Sequence, residues 1–167
     1  MSQPLQFPED VEIHDIRDVD PKELAHLDYE HTGLERSAYW SANSILSRPD
    51  SFGFAIHSST ASRLTGFVFV RSSQSGHRFG PLYAEDYTHA KQLLHKAMSA
   101  VPVSEGYVAE IFGNNKQGKK CFEELGWEFG EQNWFHRMWL GNREPEQQGE
   151  GGKGRSGMYT VFDAASG

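Results

Sequence analysis

Two strand-like runs on either side of one amphipathic helix constrain this chain more than any other feature. His77-Arg-Phe-Gly-Pro-Leu-Tyr-Ala84 and Tyr107-Val-Ala-Glu-Ile-Phe112 both read as strands. Between them, Ala90, Leu93, Leu94, Ala97 and Met98 recur at helical spacing behind Asp86-Tyr-Thr88. Strand, helix and strand close as a right-handed crossover, so the order predicts two parallel neighbours in one sheet. Pro81 lies inside the first strand. It has no amide to give to a ladder, so a bulge or a splayed edge is expected there.

The rest of the pattern is antiparallel. Val11 to Arg17 alternates apolar and polar residues, and Asp20-Pro21-Lys-Glu23 opens a helix reaching about Tyr29. Glu35 to Leu46 reads as a second helix, stopped by Arg48-Pro49. Ser51 to Ile56 and Leu64 to Arg71 form a hairpin across a Ser/Thr turn. Asn114 or Asn115 caps a helix ending near Leu125, with Gly126 as its stop, and Phe129 with Phe135 to Leu140 reads as a strand pair. The expected fold is α/β: a mixed, mostly antiparallel sheet of six or seven strands, flanked by about four helices. Residues 1–10 read as a loose leader, 11–141 as one domain and the Gly-rich stretch 142–157 as a flexible linker. Residues 158–167 follow as a terminal strand returning to the same domain, because Met158 to Phe162 is apolar again.

Charge and cysteine content narrow the function. Sixteen basic residues against twenty-three acidic ones leave a net charge of -7, which argues against nucleic acid or an anionic membrane as partner. Cys121 is the single cysteine, so no internal disulfide and no cysteine-based zinc site is expected. The eight histidines show no ligand spacing, so no metal is expected. Met1-Ser-Gln-Pro-Leu-Gln lacks the basic and apolar stretches of a signal peptide, and no apolar run approaches the ~18 residues of a span. A cytoplasmic protein is expected.

One segment carries a sharper pattern: Asn115-x-x-Gly118-x-x-x-Phe122-x-x-x-Gly126-Trp127. It resembles the Asn-x-x-Ala-x-x-x-Tyr-x-x-x-Gly-Phe helix of the GNAT superfamily of N-acetyltransferases, and the element order from Val11 to Phe162 is similar to that family's. Arg78-Phe-Gly-Pro-Leu-Tyr-Ala84, Arg137-Met-Trp-Leu-Gly141, the terminal strand, and Asp28, Gly33 and Arg36 most resemble the acetyltransferase-like C-terminal domain of YitH-type proteins.

The resemblance implies acetyl-CoA as co-substrate and direct acetyl transfer to a small amine, with no acyl-enzyme. It implies that strands 77–84 and 107–112 splay and hold the pantetheine arm, with Gly80, Pro81 and Leu82 where the splay begins. A plain sheet with a proline bulge reads equally well there. The amino end of the following helix, around Thr88, His89 and Ala90, would face the cofactor diphosphate. Of the family's Gln/Arg-x-x-Gly-x-Gly/Ala pattern, Glu85 takes the first place, Thr88 the middle glycine, and only the small Ala90 is retained. Asp86 or Thr88 can instead cap that helix. Asn115 is a further cofactor ligand by the match, or a helix cap. Phe122 stands where the family often has a proton-donating tyrosine, with Tyr83, Tyr87 and Tyr107 nearby in sequence. Glu110 is the candidate general base, since a carboxylate in an apolar strand needs a reason; an ion pair is the other. The resemblance also admits a homodimer, and a rival reading in which a degenerate GNAT domain binds without catalysing.

Overall fold

The computed structural model describes residues 11–130 and 135–163. Strands β1 (Val11–Asp15), β2 (Ser51–Ser58), β3 (Arg63–Ser73) and β4 (Gly76–Ala84) pair consecutively and antiparallel. β5 (Tyr107–Val108) joins β4 in parallel, and β6 (Met158–Thr160) pairs antiparallel with β4, giving six strands. This is the α/β sheet the sequence predicts. The leader, 1–10, lies outside the described residues.

Helix α1 (Pro21–Thr32) starts at Asp20, whose carboxylate accepts the Lys22 amide at 2.9 Å. It covers one face of the sheet, burying Leu24 and Leu27 against Phe67, Phe69 and Trp40. Helix α2 (Tyr87–Ser99) packs on the other face through Ala90, Leu93, Leu94 and Ala97, beside the short α3 (Gly118–Glu123) with its buried Cys121 and Phe122. Strand alternation sends Phe67 and Phe69 to the first layer and Val68 and Val70 to the second.

Three elements differ from their sequence reading. The helix expected over 35–46 is two 3₁₀ turns, Ser37–Trp40 and Ile45–Ser47. The Ser41 and Ser47 hydroxyls donate to the carbonyls of Ala38 and Ser44, at 3.0 and 2.7 Å, stabilising tight turns in place of a continuous helix. The strand pair expected at Phe129 and 135–140 does not form among the described residues; Phe135, Met138 and Leu140 face solvent, and 131–134 lie outside the description.

Residues 142–157 are the third. They lie against α1 and include the short helix α4 (Lys153–Gly157). Gln148 is 1 % exposed and donates to the Thr32 carbonyl at 2.7 Å. Glycine serves here for close approach: a Cβ on Gly154 would collide with the His31 carbonyl, and one on Gly157 would sit 2.7 Å from His31 Nε2.

Candidate active site

β4 and β5 touch only where they begin. His77 pairs with Tyr107 and Arg78 with Val108; beyond these the strands separate. On its other edge β4 faces β3 with a bulge, because Val70 opposes Phe79 while Val68 opposes Leu82, so that Gly80 and Pro81 together stand against Phe69. The proline falls where a missing amide costs no ladder bond.

The space between the diverging strands holds residues 158–161 of the same chain. Thr160 pairs with Leu82 and Met158 with Tyr83 on the β4 side. On the other side the Phe112 amide donates to the Tyr159 carbonyl at 3.0 Å, and the Val161 amide to the Glu110 carbonyl at 3.1 Å. Gly80 permits this packing, since a Cβ there would collide with the Val161 carbonyl. Asn115 donates from Nδ2 to the carbonyls of Ser156 and Met158, at 3.2 and 3.0 Å. The tail strand fills both layers: Met158 enters the α1 side and Tyr159 the α2 side.

A buried polar network lies on the α1 side of this gap. Arg36 clasps Asp28 through two bonds of 2.7 and 2.9 Å. The Tyr83 hydroxyl donates to Asp28 at 2.8 Å and accepts from Arg36 at 3.2 Å. Burial, then the Asp28 carboxylate, push the Tyr83 phenol well above its ordinary range, so it stays protonated. The His31 ring stacks on Tyr83, centroids 4.9 Å apart and nearly parallel. His31 Nδ1 lies 2.8 Å from the Leu27 carbonyl and so carries the proton, leaving the lone pair on Nε2. That Nε2 is buried without a partner, and burial lowers the pKa of the ring, keeping it neutral. Nearby, Arg137 bonds Gln148 Oε1 at 2.5 Å and lies over the Phe112 ring at 5.0 Å. Its Nη2 has no partner among the described residues.

The sequence matches the family model described as "Acetyltransferase (GNAT) domain" over residues 24–150. The chain belongs to the GNAT acetyltransferase family. Solved structures with a similar fold include AAC(6')-Iy in complex with a bisubstrate analogue, CoA-S-monomethyl-acetylneamine. That match has a TM-score of 0.59 and 16% identity over 78% of this chain and 99% of that one. A probable acetyltransferase follows at TM-score 0.56 and 16% identity, over 77% and 99% of the two chains. An acetyltransferase of Trypanosoma brucei gives 0.50 and 14%, over 78% and 100%. At these identities the likeness is one of fold. No curated protein matches the sequence.

Acetyl-CoA is the acetyl donor of GNAT acetyltransferases. In this GNAT domain the gap and its cofactor do not fit together while residues 158–161 are in place. Gly80, Leu82 and Asn115 all meet the tail, and Pro81 lies within the bulge. Asp86 accepts the amides of Thr88 and His89 at 2.7 and 3.2 Å, and its carbonyl takes the Ala90 amide at 3.0 Å. Glu85 is bound by Arg63 at 2.6 and 2.7 Å and by Lys153 at 3.2 Å. Burial pushes its carboxyl upward, but these two cations outweigh that and hold it below the ordinary range. Glu110 is ion-paired with Arg78 across the strands.

The tyrosines near the gap are committed. Tyr83 bonds Asp28, Tyr87 donates to Glu124 at 2.9 Å, and Tyr107 donates to the Val101 and Met98 carbonyls. Phe122 packs edge-on to Trp127 at 4.9 Å. Sequence reasoning passed over His31 and Gln148, and gave Arg137 a place in the resemblance but no role. The α1 stripe held a usable signal: Leu24, Leu27, Asp28 and His31 share one helical face, so two ionisable side chains stand among apolar ones.

Proposed function

We propose that this GNAT domain transfers the acetyl group of acetyl-CoA directly to a small amine. The observation that carries this reading is the divergence of β4 from β5 at the Gly80–Pro81 bulge, which holds backbone donors and acceptors on two facing edges for an extended ligand. Gly80, Pro81, Leu82 and Asn115 hold the pantetheine arm, and the amides of Thr88, His89 and Ala90 face the diphosphate. Glu110 is the candidate base at the gap. The CoA conjugate in the AAC(6')-Iy structure, which joins the cofactor to an amine-bearing acceptor, supports both ligands. Direct transfer agrees with Cys121, whose thiol is buried and pushed up to about 12, leaving no thiolate nucleophile at neutral pH. Within the family the chain resembles the C-terminal domain of YitH-type proteins, a reading that places it in the cytoplasm and admits a homodimer.

A second reading, a GNAT domain that binds without catalysing, is favoured by the Asp86 cap on α2 and by Phe122 at the position of the family's tyrosine. A melting series with acetyl-CoA, followed by thiol release across a panel of amines, separates the two. A ligand at 100 times its dissociation constant adds about 2.7 kcal/mol of stability. A saturable rise in melting temperature with amine-dependent thiol release supports transfer. A rise without release supports the binding domain.

A further inference from the structure

We propose that residues 153–163 are a built-in occupant of the acetyl-CoA gap, so that the folded chain is a closed acetyltransferase that opens when this segment lifts. The inference rests on the acetyl-transfer reading above and adds a competition to it.

The contacts are those of a ligand surrogate. An extended strand presents amide N–H and C=O groups along both edges, and the pantetheine arm, with its two amides, is a ligand of the same kind. Residues 158–161 satisfy β4 at Leu82 and Tyr83 and the opposite edge at Glu110 and Phe112. Asn115 is turned onto the Ser156 and Met158 carbonyls. At Leu82, Tyr83, Glu110 and Phe112 the edges opened by the splay are paired by the chain itself.

Two features distinguish the segment from an ordinary core strand. Its ends are fastened by ion pairs, one exposed at Lys153 and one largely buried at Arg71. Lys153 bonds Glu30 at 2.9 Å and Glu85 at 3.2 Å; Arg71 bonds the Phe162 carbonyl at 3.0 Å and the Asp163 carboxylate at 3.1 Å. The segment also covers a polar atom that it does not satisfy: His31 Nε2 faces Gly157, its residue is 0% exposed, and it has no partner among the described residues. Buried polar atoms in a settled core are nearly always paired. A lone pair on a neutral imidazole, stacked on Tyr83 beside the gap, has a use once a polar ligand replaces the segment. Lifting residues 153–163 exposes the gap and this base together.

The full-length protein tests this by hydrogen exchange with and without saturating acetyl-CoA. Amides 158–162 should lose protection when the cofactor binds, while β2 and β3 keep theirs. Acetyl-CoA binding with 158–162 equally or better protected overturns the competition. A second arm uses the paired substitutions Lys153→Met and Asp163→Asn, which loosen both fastenings without touching the apolar core. With ion pairs worth about 1 kcal/mol in total to the closed state, acetyl-CoA should bind about three- to tenfold tighter than to wild type. Equal affinities with unchanged exchange defeat the competition and leave acetyl transfer standing. Absence of binding by both proteins at millimolar acetyl-CoA defeats the acetyl-transfer reading itself, and the competition with it. Binding by the substituted protein alone supports both.

Discussion

The two halves of the sheet are built on different terms. From β1 to β4 each strand pairs antiparallel with the next strand in the chain, in ladders of five to eight residue pairs; short polar turns join β2 to β3 and β3 to β4, while α1 lies between β1 and β2. From β4 onward the ladder shrinks to two pairs with β5, and the opening is closed by a strand more than seventy positions away. β2, β3 and β4 are a scaffold whose strands find their partners locally. The second half is closed from a distance, by a strand remote in sequence. Loss of the remote strand therefore weighs on both layers at once, because Met158 and Tyr159 point to opposite faces.

The largest expected effect follows from that. Truncation after Gly141 removes the buried side chains of Met158, Tyr159, Val161 and Phe162. With no cofactor in the gap nothing takes their place; each is worth roughly 1.5–3 kcal/mol of burial, so truncation costs a large share of the stability of a domain, about 5–15 kcal/mol. Thermal melting should show a cooperative transition lowered by more than ten degrees, or none. Lengthening the β2–β3 turn at Thr60 by two glycines should change it little, because short loop insertions cost about 0.6 kcal/mol or less. Similar losses from both changes would erase the difference between the halves.

The next effect reads the base under the tail. His31 is neutral in the fold, with its pKa lowered from the ordinary 6.5 by burial, whereas the unfolded chain protonates there freely. Below pH 6.5 the unfolded state binds the extra proton, so stability falls as pH falls, by at most about 1.4 kcal/mol per unit. Above that value the contribution is constant. Denaturant titrations from pH 7.5 to 5 should show this slope in wild type and a flatter one in His31→Gln. An identical slope in both proteins would mean that the ring is not held neutral beneath the segment.

How much of this could be read beforehand follows the same division. β2, β3 and β4 announce themselves by alternation, because a half-buried strand writes its two faces into neighbouring residues, and Pro81 marked the bulge for want of an amide. Met158 to Phe162 was legible as an apolar strand, but nothing local says that Thr160 lies opposite Leu82. Register between segments so far apart is set by packing that neither segment encodes alone. The Gly-rich tract shows the same limit. Glycine reads as freedom until a neighbour is known, and at Gly154 the neighbour is the His31 carbonyl. Serine side chains bonding their own backbone undid the helix read over 35–46. Around the gap, Glu110 stood out as a carboxylate in a strand, but its Arg78 partner appears only when β4 and β5 are laid side by side.

The smallest expected effect concerns the amino end of α2. Asp86→Gly releases the Thr88 and His89 amides that the carboxylate now accepts. Replacing a cap with glycine costs only a few tenths of a kcal/mol in stability. Removing one negative charge at a helix terminus, worth roughly 0.3–1 kcal/mol, should tighten acetyl-CoA binding by about two- to fivefold in a calorimetric titration. Weaker binding in the variant would show that the diphosphate does not reach this helix.

Whether the tail and acetyl-CoA exclude one another is most directly read as a distance. Cysteines introduced at the exposed Arg155 in α4 and Gln74 in the β3–β4 turn accept spin labels, while the buried Cys121 does not react. Without ligand a single narrow distance is predicted. With acetyl-CoA a second, longer population should grow and saturate along the same curve as the calorimetric titration. A single unchanged distance in protein that demonstrably binds acetyl-CoA would contradict the mutual exclusion of tail and cofactor.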